Sequence, residues 1–240
     1  MDAGRFAERF ERVRAELTGY LVRLTLRPAV AEELAQETAV RGLENLAGLP
    51  EPDGELRAWL YRVATNLATD WRRKHGPARE TLLLDARRRA EASEGFGAAA
   101  RPLRGSPLAL AIAREHLAAC LACALARFPP ERAAALLLVE MAGFSVAEAA
   151  DILDARPAQV KGWLTATRAA TEERYGTTCA LVSKQGVCHQ CVELDGHFGA
   201  GRGDPLAGTG RTLDDRLAVL RGQPPGRWTE LLAGLLDEIG

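Results

Sequence analysis

Between residues 56 and 74 the chain reads LRAWLYRVATNLATDWRRK, with Leu56, Leu60, Val63, Leu67 and Trp71 recurring at spacings of four, three, four and four. Wound as an α-helix, those positions form one apolar stripe. Arg62, Asn66, Thr69 and Arg73 keep the same rhythm on another face, and the segment ends in the basic cluster Arg72-Arg73-Lys74. One side can anchor to a core while the other presents guanidinium and amide donors.

The same pattern organises the rest of the chain. Residues 5–26 predict a helix with Phe6, Phe10, Val13, Leu17, Leu21 and Leu24 on one face, stopped by Pro28. A second helix is expected from about Val30 to Leu46. Leu34, Ala35, Thr38, Leu43 and Leu46 would face inward, and Glu33, Gln36, Glu37, Arg41 and Glu44 outward. The turn-rich stretch Ala47–Gly54 then delivers the chain into the helix described first, giving a three-helix unit over residues 5–75. Residues 76–106 carry Gly, Pro, Ser and dense charge without an apolar period, which reads as a linker with a short helix near Leu82–Ala92.

Periodicity resumes at Pro107 and runs to Arg127, then again over Glu131–Met141. Ser145 and Glu148 have capping-box spacing. They open a short helix, Val146–Leu153, followed by the turn Asp154-Ala155-Arg156 and a helix from Pro157 to about Arg174. Helix, tight turn, helix of these lengths is a helix-turn-helix pattern, placing a second domain at 107–175. Residues 176–240 form a Cys-rich extension with a Gly-rich hinge at 199–210 and short amphipathic segments at Leu213–Arg221 and Trp228–Ile239. The fold class expected is therefore all-α: two helical domains, a linker and a small tail.

Composition narrows the function. A chain of 240 residues, 47% hydrophobic and 26% charged, is globular, and a net charge of −1 gives no overall basic surplus. Any nucleic-acid contact must then come from local patches. No apolar run approaches a membrane span and the charged start lacks a signal-peptide core, so a cytoplasmic protein is expected. No nucleophile–base constellation, phosphate-binding loop or dinucleotide fingerprint is present, and no enzyme is predicted.

The wording of two segments is more specific than their charge. LRAWLYRVATNLATDWRRK resembles the F-R-A-W-L-x-x-I-A-x-N-x-x-x-D-x-x-R-R segment of extracytoplasmic-function (ECF) RNA polymerase sigma factors. Upstream, Ala31–Arg41 (AEELAQETAVR) resembles the D-A-E-D-L-V-Q-E-T-F segment that precedes it in that family. The run from Phe128 to Ala170 is similar to the family's C-terminal DNA-binding domain, although Gly162-Trp163 stands where Ser-Arg is usual.

The resemblance implies promoter DNA and core RNA polymerase as partners, with an anti-sigma factor as a further candidate. It implies −10 element contacts by Arg57, Arg62, Asn66, Arg72, Arg73 and Lys74, with the loop Leu49–Glu55 helping to hold a flipped base. Contacts to the −35 element would come from Arg156, Gln159, Lys161, Thr165 and Arg168. The stripe Glu33, Gln36, Glu37, Arg41 and Glu44 would dock on the polymerase β′ subunit. Trp59 and Trp71 read as core aromatics, with base stacking as the alternative. A stand-alone helix-turn-helix regulator and a metal- or redox-sensing adaptor are the rival readings.

The tail adds chemistry that the resemblance does not cover. Cys179, Cys188, Cys191 and His197 make a C-x8-C-x2-C-x5-H array, with His189 as a competing ligand. Cys-x-x-Cys lets two thiolates reach one tetrahedral zinc, and thiolate softness would also admit copper(I). The same thiols suit a redox switch, or simple packing. His116, Cys120 and Cys123 share a helical face and are reminiscent of the zinc motif of anti-sigma factors, with core packing the expectation.

Overall fold

The computed structural model describes residues 1–75, 121, 124, 125, 127–178, 217 and 221, the stretch 174–178 as backbone. Among these, all regular structure is helical: α1 (Ala3–Thr25), α2 (Pro28–Glu44), α3 (Asp53–His75), α4 (Pro130–Leu136), α5 (Val146–Ile152) and α6 (Pro157–Thr178).

The first three form the N-terminal lobe. Asp2 caps α1 by accepting from the Arg5 amide at 2.9 Å, and Leu26 ends the helix in the left-handed region at φ 57°. Proline at the start of α2 costs no hydrogen bond there. Phe6, Phe10, Leu17, Leu21 and Leu24 are buried as the pattern predicts, with Val13 half-buried. They meet Ala31 and Ala35 of α2, and Leu56, Leu60, Ala64 and Ala68 of α3. Gly42 lets α2 approach closely, since a Cβ there would lie 2.2 Å from the Phe6 ring.

In the second lobe, α4 continues into a π-helical turn, Leu137–Met141, where the sequence predicts α-helix to Met141. The register shift sends the Ala142 amide to the Leu137 carbonyl at 2.9 Å. Ser145 and Glu148 do form the capping box, with bonds of 3.2 and 2.7 Å. The turn after α5 passes through Asp154 at φ 49° into α6. Val160, Leu164, Thr167 and Thr171 form the inner side of α6.

The buried residues of both lobes make one continuous core, because α3 lies between them, against α1 and α2 on one side and α4 and α5 on the other. That arrangement widens the buried side of α3 beyond the expected stripe. Tyr61, Thr65, Thr69 and Arg72 are buried, while Val63, Leu67 and Trp71 are only half-buried. Trp71 is therefore not a core residue; its ring stacks on His75 with centroids 4.7 Å apart. Trp59 is partly buried against the core. Leu43, expected inside, is 45% exposed, its inward place taken by Gly42. The linker 76–106 and most of the predicted helix 107–127 lie outside the described residues.

Candidate nucleic-acid interface

Two faces carry the residues singled out for DNA. On α3, Arg62, Asn66 and Arg73 are exposed and lie on one side of the helix, opposite the core. Thr69, placed with them by spacing, is buried. Lys74 is exposed on another side. Arg57 is half-buried and Arg72 is buried.

Four of these arginines bond to the second lobe. Arg57 donates to the Ala142 carbonyl at 2.7 Å, and Arg62 to the Asp151 carbonyl at 2.5 Å. Arg72 donates to the Phe128 carbonyl at 2.9 Å, and Arg73 pairs with Glu131 at 2.5 Å. Arg57 also pairs with Glu16 and lies 4.2 Å from the Phe144 ring centroid and 4.9 Å from that of Tyr61. Burial lowers the pKa of the Arg72 guanidinium from its ordinary value, opposed by the Glu131 carboxylate. Phe144, Glu131 and Glu16 were not foreseen as partners, because nothing in local spacing links residues so far apart in the chain.

The loop before α3 is held to α1. Arg9 pairs with Asp53 at 2.7 Å, and Arg5 with Glu51 at 3.0 Å. Leu49 is buried, and residues 51–55 are exposed.

Arg156, just before α6, and Gln159, Lys161 and Thr165 on it are exposed. Ala158, Gly162 and Ala169 form the crest of the helix, with Lys161 and Thr165 on one flank and Gln159 on the other. Arg168 is drawn away from that surface, its guanidinium paired with the largely buried Glu140. On α2, Glu33, Gln36, Glu37, Arg41 and Glu44 are all exposed, with Arg41 and Glu37 paired at 3.0 Å. Val40 and Leu43 stand exposed among them, an apolar pair that the charge pattern alone did not indicate.

Two family models match the chain: Sigma-70 region 2 over residues 9–77, and the sigma-like domain of the response regulator PhyR over residues 125–173. The ECF RNA polymerase sigma factor EcfG of Rhodopseudomonas palustris (strain TIE-1) is 30% identical over 140 residues, 58% of this chain and 67% of that protein. The chain is an ECF sigma factor.

As such it serves RNA polymerase in promoter recognition, and the family is not enzymatic. The matched segments fall on the two helical lobes. This sigma factor has no helix, among the described residues, long and apolar enough to cross a membrane. The tail array Cys179, Cys188, Cys191 and His197, and the His116, Cys120 and Cys123 triplet, lie outside the described residues.

Proposed function

We propose that this sigma factor reads the −10 element with the outer side of α3 and the −35 element with the exposed side of α6. The supporting observation is the division of α3: one side is core, and the other gathers Arg62, Asn66 and Arg73, whose donors match phosphate oxygens and base edges. Lys74 extends the positive potential beyond that side. Arg57 and Arg72 join the contact surface when the lobes part.

On α6, Lys161 and Thr165 meet one side of the groove, with Gln159 and Arg156 near the start of the helix. The α2 side, with its charges around Val40 and Leu43, docks on the β′ subunit of core RNA polymerase.

Reconstitution with core RNA polymerase tests the reading. Initiation from specific promoters, lost in the Arg62→Ala/Arg73→Ala variant with polymerase binding retained, is the expected result. Specific DNA binding without initiation would favour a stand-alone helix-turn-helix regulator instead.

We further propose that metal or redox state at the tail regulates this sigma factor. The tail reaches the second lobe, with Leu217 buried in its core and Arg221 bonded to Glu140. A zinc or copper(I) ion, or a disulfide, at Cys179, Cys188, Cys191 and His197 would change how that tail is held. Metal analysis of the purified chain against Cys188→Ser, with transcription assayed before and after oxidation, tests this. Absence of metal together with indifference to oxidant would reject it.

A further inference from the structure

Glu140 is a nearly buried acid shared by two cations. One carboxylate oxygen, Oε1, pairs with the Arg168 guanidinium of α6, and the other, Oε2, lies 3.4 Å from Nη2 of Arg221 in the tail. The Nε of Arg221 also donates to the Glu140 main-chain oxygen at 2.7 Å. Burial fixes this placement. Leu217 lies within the core, and Arg221 follows one helical turn later, its amide bonded to the Leu217 carbonyl at 3.0 Å.

Arg168 stands three positions from Thr165 and seven from Lys161, so the three share one flank of α6. Its side chain is partly exposed, and a guanidinium offers a carboxylate and a phosphate the same forked donors. What opposes a swing from one to the other is the acid left behind. Glu140 is 9% exposed, and a charge so placed is costly to leave unpaired. Arg221 removes that obstacle, because it stays on Glu140 when Arg168 departs.

We propose that Arg221 is a positioning residue for duplex binding: as the standby partner of Glu140, it lets Arg168 pass from that carboxylate to the phosphate backbone of the DNA. This rests on the assignment of α6 to the −35 element. The tail then takes part in DNA reading through a residue that itself touches no DNA. The linkage is reciprocal, since DNA that draws Arg168 away leaves Glu140 to Arg221 and tightens the hold on the tail.

The test uses the full chain and a labelled mixed-sequence duplex of about 20 base pairs, titrated between about 50 and 200 mM salt. Arg221→Ala is expected to weaken binding about threefold at the lowest salt. It should also flatten the dependence of log affinity on log salt by about 0.9, the share of one phosphate contact. Two further backgrounds isolate the handover. In Glu140→Gln no acid is left to strand, and in Arg168→Ala no cation is passed on, so adding Arg221→Ala should change nothing in either.

A loss of equal size in all three backgrounds would make Arg221 an ordinary phosphate-binding cation. No loss in the wild-type background would confine it to holding the tail. Either result overturns the proposal. Arg168→Ala alters a partly exposed side chain, so that background decides the matter even where Glu140→Gln fails to fold. Lys161→Ala, which leaves Glu140 and both its partners intact, is scored separately. An unchanged salt slope there means that the assignment of α6 has failed; a normal Lys161 effect beside a silent Arg221→Ala means that the handover alone has failed.

Discussion

Arg221, in the C-terminal extension, donates from Nε to the main-chain oxygen of Glu140 at 2.7 Å, across 81 positions of the chain. Its Nη2 also lies 3.4 Å from the Glu140 carboxylate, which pairs at the same time with Arg168 of α6. Glu140 stands one residue before Met141 ends the helix, where carbonyls lack intrahelical partners and are open to such a donor. One acidic side chain thus joins the tail to the helix assigned to the −35 element.

Removing that charge should be felt more than removing one of its partners. Glu140→Gln leaves two guanidinium groups without their anion at a site only 9% exposed, and should lower unfolding stability by about 1–3 kcal/mol. Arg221→Ala acts on a side chain that is 57% exposed, and solvent screening holds its cost to about 0–1 kcal/mol. Chemical denaturation of both variants checks the order, and equal losses would contradict it.

A second buried polar link lies inside the first lobe. The hydroxyls of Tyr20 and Thr65 are 2.7 Å apart, and Thr65 also reaches the Tyr61 carbonyl at 2.6 Å. Burial pushes the Tyr20 pKa well above its ordinary value, so the ring stays neutral through the physiological range. Thr65→Val keeps the shape but strands the Tyr20 hydroxyl, and should cost roughly 1–3 kcal/mol by denaturant midpoint. The Tyr20→Phe/Thr65→Val pair should recover part of that loss.

Much of this fold was legible because amphipathic periodicity is local. The inward side of α1, the capping box before α5 and the break between α5 and α6 follow from residues a few positions apart. The burial of Thr69 and Arg72 was not legible, because a second lobe covers α3 and no local pattern specifies that neighbour. Leu43 was misplaced for a related reason: only packing against the Phe6 ring makes Gly42, rather than the adjacent leucine, the inward position. The candidate DNA residues were named from a family resemblance, and their engagement by helix-end carbonyls became visible only in three dimensions.

The Phe6–Gly42 approach gives its own prediction. Gly42→Ala would set a methyl 2.2 Å from one ring atom and 2.7 and 2.9 Å from two others. Phe6 is buried and its ring is rigid, so α2 must shift away from α1. A loss of about 1–3 kcal/mol is expected despite the better helix propensity of alanine. A thermal midpoint equal to wild type would show that the helices separate without cost.

The capping box should respond to acid. Hydrogen bonds from the Ser145 side chain and amide hold the Glu148 carboxyl below its ordinary pKa. A depressed folded pKa means that the contribution is complete above the unfolded value, near 4.5, and fades as pH falls through the folded one. Ser145→Ala should lose about 1 kcal/mol at neutral pH, and less of it in acid. Glu148→Gln should remove that part of the pH dependence. Denaturation of the three proteins at neutral and acidic pH separates the two effects.

The crest of α6 offers the most direct change of function. A Cβ at Gly162 would meet no atom within 4 Å, and the residue occupies the position where the family usually carries serine before arginine. Gly162→Ala should stabilise the helix by about 0.4–1 kcal/mol, since alanine loses less backbone entropy on folding and meets no neighbour. Gly162→Arg should be accommodated for the same reason and place a cation where α6 faces duplex DNA. One added phosphate contact would steepen the dependence of log affinity on log salt by about 0.9. Tighter duplex binding at low salt with that steeper slope, and Gly162→Ala matching wild type, would locate the groove-facing side of α6. An unchanged slope would mean that the crest points away from the DNA.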